Sequence, residues 1–219
     1  MEKVVLIVAG GKGKRMKSKT PKQFLLLNDL PVLMHTLNQF SDFEKIFLVL
    51  PKSQFNYWRK LCAKYNFQQN HILIEGGETR FHSVKNGLKK IPKKTIVAIH
   101  DGVRPIIPKN LITKLFEKTK HGVGAIPAVP IKDSMRKSTK KGSECIDRAN
   151  IYAIQTPQCF LTSEIQSAYK QNYSSFFTDD ASVFESKGGY IHLIKGEGKN
   201  IKITTSTDLK IAEFFMQEL

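Results

Sequence analysis

Cysteine is scarce in this sequence, and so is every pattern that would build a fold on sulfur, metal or lipid. The three cysteines, Cys62, Cys145 and Cys159, are odd in number and far apart. That argues against a disulfide framework and for a reducing, cytoplasmic setting. No two of them have metal-ligand spacing, and the six histidines form no HExxH. No apolar run approaches the roughly 20 residues that a membrane span needs. The first apolar segment begins at Val4, so neither a signal nor a transit peptide is expected. Acidic residues are the minority, 19 against 35 Lys and Arg, for a formal charge of +16. Such a charge raises the alternative of a basic nucleic-acid-binding protein. The basic residues are spread along the chain, however, and no nucleic-acid-binding motif accompanies them, so neither a nucleic acid nor a membrane is expected as partner. The field still favours small polyanions such as triphosphates.

What is present is a regular alternation of short apolar segments with amphipathic ones. Strands are predicted at 4–9, 46–51, 72–75, 95–101 and 124–130. Helices are predicted from Pro31, over 55–65, from a Thr79 cap to about 90, and over 111–120. This β-α-β-α rhythm implies an α/β fold with a Rossmann-like, doubly wound, mostly parallel sheet. It breaks at 131–148, a polar stretch with Lys-Lys-Gly at its middle. That stretch reads as a protruding β-hairpin arm, with a surface loop as the alternative. A strand near 152–155, helices at 162–171 and 179–186, a strand at 191–195 and a last helix capped near Ser206 or Thr207 follow. With no internal repeat and no linker, a single domain over 1–219 is expected, 131–148 being its arm.

Chemistry enters with AGGKGKRM at 9–16, directly after the first strand. Ala9, Gly10, Gly11 and Gly13 permit close backbone approach to a phosphate. Lys12, Lys14 and Arg15 would repel one another on a tight turn without an anion between them. The loop is not a Walker A motif, because Arg15 follows Lys14, nor a dinucleotide fingerprint, because Met16 takes the third glycine position. Pro21 then stiffens the approach to Lys22. A second glycine pair, Gly76 and Gly77, precedes Glu78, Arg80 and Ser83. HDGVRP at 100–105 sets Asp101 at a strand's C-terminal edge, where a carboxylate can hold Mg²⁺ directly or through water. Arg104 reads equally as its structural partner.

In order, AGGKGKRM, TPKQFL, GGETRFHSV, HDGVRP, the arm and GKNIKITTSTDL resemble the polyol-phosphate cytidylyltransferases, and among them the 2-C-methyl-D-erythritol 4-phosphate cytidylyltransferase family. The resemblance runs from Val4 to about Phe215. It implies a fold of the nucleotide-diphospho-sugar transferase type, the substrates CTP and a polyol phosphate, and a divalent cation such as Mg²⁺. It implies catalytic roles for Arg15 and Lys22 at the α-phosphate. CTP binding is implied for Ala9, Gly10, Gly11, Gly13, Lys14, Gly76, Gly77, Glu78, Ser83, Asp101 and Gly102, the last leaving room for nucleotide. Acceptor binding is implied for Ser134, Arg148, Thr156 and Lys202, with Arg104 in support and Asp101 at the metal, directly or through water. The arm is expected to cross to a second subunit and make a homodimer. Ser134 stands where the family usually has threonine. A ribitol 5-phosphate cytidylyltransferase is the nearest alternative. TDDAS at 178–182 also matches; it reads as a helix cap with an acidic first turn and receives no catalytic role.

Overall fold

The computed structural model describes residues 1–11, 16, 18 and 20–217. Strand β1 (Glu2–Val8) is buried on both faces. Val4, Leu6 and Val8 enter one core cluster, and Val5, Ile7 and Ala9 the other. That two-sided burial is why the run is continuously apolar rather than alternating. A small hairpin follows, β2 (Leu26–Leu27) and β3 (Leu30–Pro31). Its turn residues Asn28 and Asp29 both have positive φ, 46° and 64°, the conformation a two-residue hairpin turn prefers. Helix α1 (Val32–Asn38) begins just after Pro31. Next come β4 (Ile46–Leu50), α2 (Phe55–Lys64), β5 (Ile72–Glu75) and α3 (Arg80–Leu88). The Thr79 hydroxyl accepts from the His82 N–H and caps α3 as expected.

Strand β6 (Thr95–Asp101), α4 (Lys109–Lys118) and β7 (Val123–Pro130) complete the regular part. Strands β8 (Met135–Thr139) and β9 (Gly142–Ile146) then form an antiparallel hairpin, the expected arm. The chain returns through β10 (Tyr152–Ile154) and β11 (Gln158–Leu161) to α5 (Thr162–Ala168), α6 (Asp180–Glu185), β12 (Tyr190–Lys195) and α7 (Ser206–Gln217).

The main sheet runs β10-β7-β11-β6-β1-β4-β5, with β12 parallel to β7. Its centre is parallel, and β11 enters antiparallel between β6 and β7. Helices α3, α5 and α6 supply one core face; α1, α2 and α4 supply the other. A third cluster joins Leu27, Val32, Val103 and Ile203 to Ala212 of α7. The sheet is therefore doubly wound. Strand β11 was not expected: QCFL is short and sits against Pro157, which hides its extended character.

The chain leaves β1 for β4 and β5 on one side, then returns to pair β6 on the other. The C-terminal ends of β1 and β6 thus flank a topological switch point, where open α/β sheets bind ligands. Val8 is in register with Asp101 there.

Candidate active site

At that switch point lies a cleft of about 860 Å³. Its lining includes Ala9, Gly10, Gly11, Lys22, Gly77, Glu78, Ser83, Asp101 and Lys202, so nine predicted residues from five separate motifs meet in one place. Arg15, Gly13, Lys14 and Lys12 lie outside the described residues.

The glycine-rich loop continues β1. The Ala9 N–H donates to the Val49 carbonyl at 2.9 Å, and the Ala9 carbonyl accepts from Gln23 Nε2 at 2.9 Å. A Cβ on Gly10 would stand 3.7 Å from Ser83 Oγ, so the two motifs face each other directly. Ser83 Oγ accepts from the Gly77 N–H at 3.0 Å and so shapes the second glycine turn. A Cβ on Gly77 would meet His82 Cβ at 2.4 Å, which only glycine avoids. Gly76 does not line the cleft; its Cβ would crowd Ser83 Oγ at 3.1 Å. Lys22 is held in a short 3-10 turn after Pro21 and is buried. Its Nζ donates to the Ile203 carbonyl at 3.1 Å, which ties the N-terminal loop to the segment carrying Lys202.

Asp101 ends β6 with little exposure. Arg80 Nε donates to its Oδ1 at 3.3 Å. Lys202 Nζ lies 2.9 Å and Arg104 Nε 3.5 Å from its Oδ2. Burial opposes the negative charge, but Arg80, Lys202 and Arg104 outweigh it and hold the carboxyl well below the usual carboxylate range. Arg104 also donates to the Asn200 carbonyl at 2.7 Å and is nearly buried.

The segment that carries Lys202 is irregular and is pinned by buried amides. Gln155 Nε2 donates to the carbonyls of Glu197 and Asn200 at 2.8 and 3.2 Å, and Asn200 Nδ2 donates to the Thr156 carbonyl at 2.9 Å.

Thr156 is buried beside the cleft and does not line it. Its Oγ1 accepts from the Asp101 N–H at 3.0 Å. It also bonds His100 Nδ1 at 3.0 Å. His100 Nε2 faces the Arg104 carbonyl at 3.0 Å; a carbonyl only accepts, so the ring proton sits on Nε2 and Nδ1 accepts from Thr156. The Thr156 hydroxyl proton is therefore committed to the ring.

One expectation is corrected. Gly102 does not open space for a nucleotide. A Cβ there would meet Ala9 Cβ at 2.7 Å and Leu33 Cδ1 at 3.1 Å. The glycine lets α1 and the end of β1 pack against β6.

Ser134 and Arg148 are exposed on or beside the arm and are not brought to this cleft. Arg148 Nη1 donates to the Lys132 carbonyl at the arm's base.

Two residues were overlooked. Asp180 is fully buried and binds the Arg80 guanidinium with both oxygens, at 2.9 and 2.7 Å. Tyr169 OH donates to its Oδ1 at 2.6 Å. The available signal was Arg80 itself: a cation opening a helix opposes the helix dipole unless carboxylates hold it. Burial weighs against charge on Arg80, yet Asp180 and Asp101 raise its pKa well above the ordinary arginine value.

Among the described residues no group of three or more His, Cys, Asp or Glu could cage a metal. Asp101 and Glu78 are the carboxylates that line the cleft; a set this sparse could hold Mg²⁺ only with waters and substrate phosphates as its other ligands.

Comparison with known proteins agrees with this geometry. The family model described as 2-C-methyl-D-erythritol 4-phosphate cytidylyltransferase matches residues 3–218. The chain is 48% identical over 218 residues to the protein of that name from Azobacteroides pseudotrichonymphae, covering 97% of each. It is 46% identical over 214 residues to the one from Bacteroides thetaiotaomicron, covering 96% of this chain and 98% of that one. The fold is similar to the crystal structure of the Francisella tularensis 2-C-methyl-D-erythritol 4-phosphate cytidylyltransferase, with a TM-score of 0.81, 33% identity, and 98% and 99% of the two chains covered. The Thermus thermophilus enzyme gives the same TM-score at 28% identity, with 99% and 100% covered.

Proposed function

The chain belongs to the 2-C-methyl-D-erythritol 4-phosphate cytidylyltransferase family, and from that membership we infer that it transfers CMP from CTP to 2-C-methyl-D-erythritol 4-phosphate. The products are 4-diphosphocytidyl-2-C-methyl-D-erythritol and pyrophosphate, a step in isoprenoid precursor synthesis. The observation that carries the reading is the meeting of the glycine loop, Lys22, Asp101 and Lys202 around one cleft at the switch point.

In the reaction an acceptor phosphate oxygen bonds to the α-phosphorus of CTP, and the bond from that phosphorus to the β-bridging oxygen breaks. The nucleophile is already ionised, so no base is needed. The work is positioning and charge stabilisation. Lys22, held by Pro21 and the Ile203 carbonyl, is the described cation poised at the α-phosphate, with Arg15 as its partner from the adjoining loop. Ala9, Gly10, Gly77 and Ser83 form the base pocket, with Gly76 behind Ser83; Glu78 lines it from the solvent side. Asp101 would hold Mg²⁺, which supplies charge neutralisation on the phosphates. Lys202 serves the acceptor phosphate. Thr156 acts by fixing Asp101 rather than by direct contact.

Ser134 and Arg148 complete the acceptor site from a second subunit. The support is that neither residue lines the cleft, and that β10, paired with the end of β7 from which the arm leaves, carries exposed apolar side chains. Tyr152 and Ile154 there are 41% and 36% exposed, which suits a partner. The domain is then one catalytic unit with a dimerisation arm at 131–148. Three free cysteines suit a cytoplasmic setting. The deciding experiment is pyrophosphate release from CTP and Mg²⁺ with methylerythritol phosphate or ribitol 5-phosphate. Release with ribitol phosphate alone would overturn the assigned acceptor.

A further inference from the structure

The TDDAS segment contains a residue whose role exceeds helix capping. Asp179 is the cap of α6: its Oδ1 accepts from the Ser182 N–H at 2.9 Å, and Ser182 Oγ closes the capping box. Asp180 is the next residue and points the other way, into the protein. It is fully buried and does not line the cleft. Its oxygens are spent on three donors, two from Arg80 and one from Tyr169. Gln158 of β11 fixes the start of α6, donating to Asp179 Oδ2 at 2.8 Å and accepting from the Ala181 N–H at 2.9 Å. The carboxylate is therefore anchored to the central sheet.

Arg80 spans two anions. Its Nη atoms face Asp180, and only its Nε reaches Asp101, at the longer distance of 3.3 Å. A bidentate carboxylate fork is the strongest pairing open to a guanidinium. While Asp180 holds the fork, Arg80 cannot pair bidentately with Asp101 or swing further into the cleft. Arg80 then makes only one longer contact, on Asp101 Oδ1, while Oδ2 faces Lys202 and Arg104.

We propose that Asp180 is a positioning residue for nucleotide binding, which holds Arg80 back from Asp101 by occupying its guanidinium fork. The proposal rests on the CTP reading above. Removing the charge at Asp180 leaves Arg80 with one anionic partner, and the fork turns to Asp101. Nucleotide must break that pair to bind. A loss of this kind falls on the ground state, so it raises KM without lowering kcat in proportion.

The test is Asp180→Asn, which keeps the shape and removes the charge. Expected is a KM for CTP raised about tenfold, with kcat within about threefold of wild type, a difference of about 1.4 kcal/mol in binding. Arg80→Lys, a point charge that cannot grip Asp180 in a fork, should raise KM comparably. In that background Asp180→Asn should add less than about twofold, because both changes break one relay. Calorimetric titration with CTP should show the same weakening without turnover. Tyr169→Phe, a milder change at the same carboxylate, should show a smaller shift of the same kind and serves if Asp180→Asn does not fold. An unchanged KM with a lowered melting temperature, or fully additive effects in the double variant, would overturn the relay alone. A wild-type protein that neither binds nor turns over CTP would sink the nucleotide reading and the relay with it.

Discussion

Lys202 Nζ stands 2.9 Å from Asp101 Oδ2, so the residue assigned to the acceptor phosphate is also a counter-ion of the residue assigned to the metal. Lys202→Met keeps the stem and removes the charge. A hydrogen bond to a charged group is worth about 1.5–3 kcal/mol, so KM for the acceptor should rise about 10- to 100-fold. KM for CTP should stay within about threefold. Initial-rate kinetics with each substrate varied in turn separates the two. An unchanged acceptor KM would remove Lys202 from the acceptor site.

His100 gives the fold a pH dependence. Burial lowers its pKa from 6.5 to about 4. The unfolded chain takes up this proton below about pH 6.5, the folded one only near 4. The unfolded state therefore holds more protons in that window, and stability must rise with pH across it. The shift corresponds to at most about 3 kcal/mol between the two ends. His35 and His71, whose pKa values burial also lowers, add slope of the same sign. Urea unfolding at pH 7.5 and 5 should show the loss, and His100→Asn should flatten part of it. A His100 ring that titrates near pH 6.5 by NMR would refute the assignment.

Much of this fold was legible because burial writes itself into residue type. Strand β1 sends alternate side chains to two cores, and VVLIVA says so plainly. Asp101 was legible because it ends such a strand. The misses share a cause: each depends on a neighbour distant in sequence. Gly102 is glycine for Ala9 and Leu33, not for the ligand. Lys202 reaches the cleft through Gln155 and Asn200, whose amides replace a strand's ladder. Asp180 looks like a second capping acid until Arg80, 100 residues earlier, is seen to fill it. Strand β11 is recognisable only from its pairing with Ile96–Ile99.

The base pocket predicts discrimination. Ser83 Oγ, bonded to the Gly77 N–H and facing Gly10, fixes the polar groups of the proposed base pocket. A site built to satisfy the cytosine amino donor rejects an analogue that lacks it, by orders of magnitude rather than a few-fold. kcat/KM for CTP should exceed that for UTP by about 10³ or more, the range such buried polar sites reach. Ser83→Ala frees the Gly77 turn and should narrow the gap about tenfold, the effect of roughly one hydrogen bond. Comparable kcat/KM for the two nucleotides in the wild type would refute the pocket.

The arm tests architecture and mechanism together. Lys22 lines the cleft, whereas Arg148 sits at the base of an exposed hairpin, bonded to the Lys132 carbonyl. In the proposed homodimer, an acceptor site that uses both takes them from different subunits. Lys22→Ala removes a transition-state charge and should cost about 10²-fold or more in kcat. Arg148→Ala should cripple acceptor use alone. In a mixed dimer one site collects both defects and the other collects neither. With equal amounts and free exchange, half the dimers are mixed, and each mixed dimer has one sound site of two. Activity should therefore recover to about a quarter of wild type, as random two-fold pairing requires. A tagged subunit confirms that exchange took place. An arm acting within its own subunit leaves every site with one defect or the other, so mixing then restores nothing. Absent recovery with proven exchange would show that Arg148 works in its own chain or not at all.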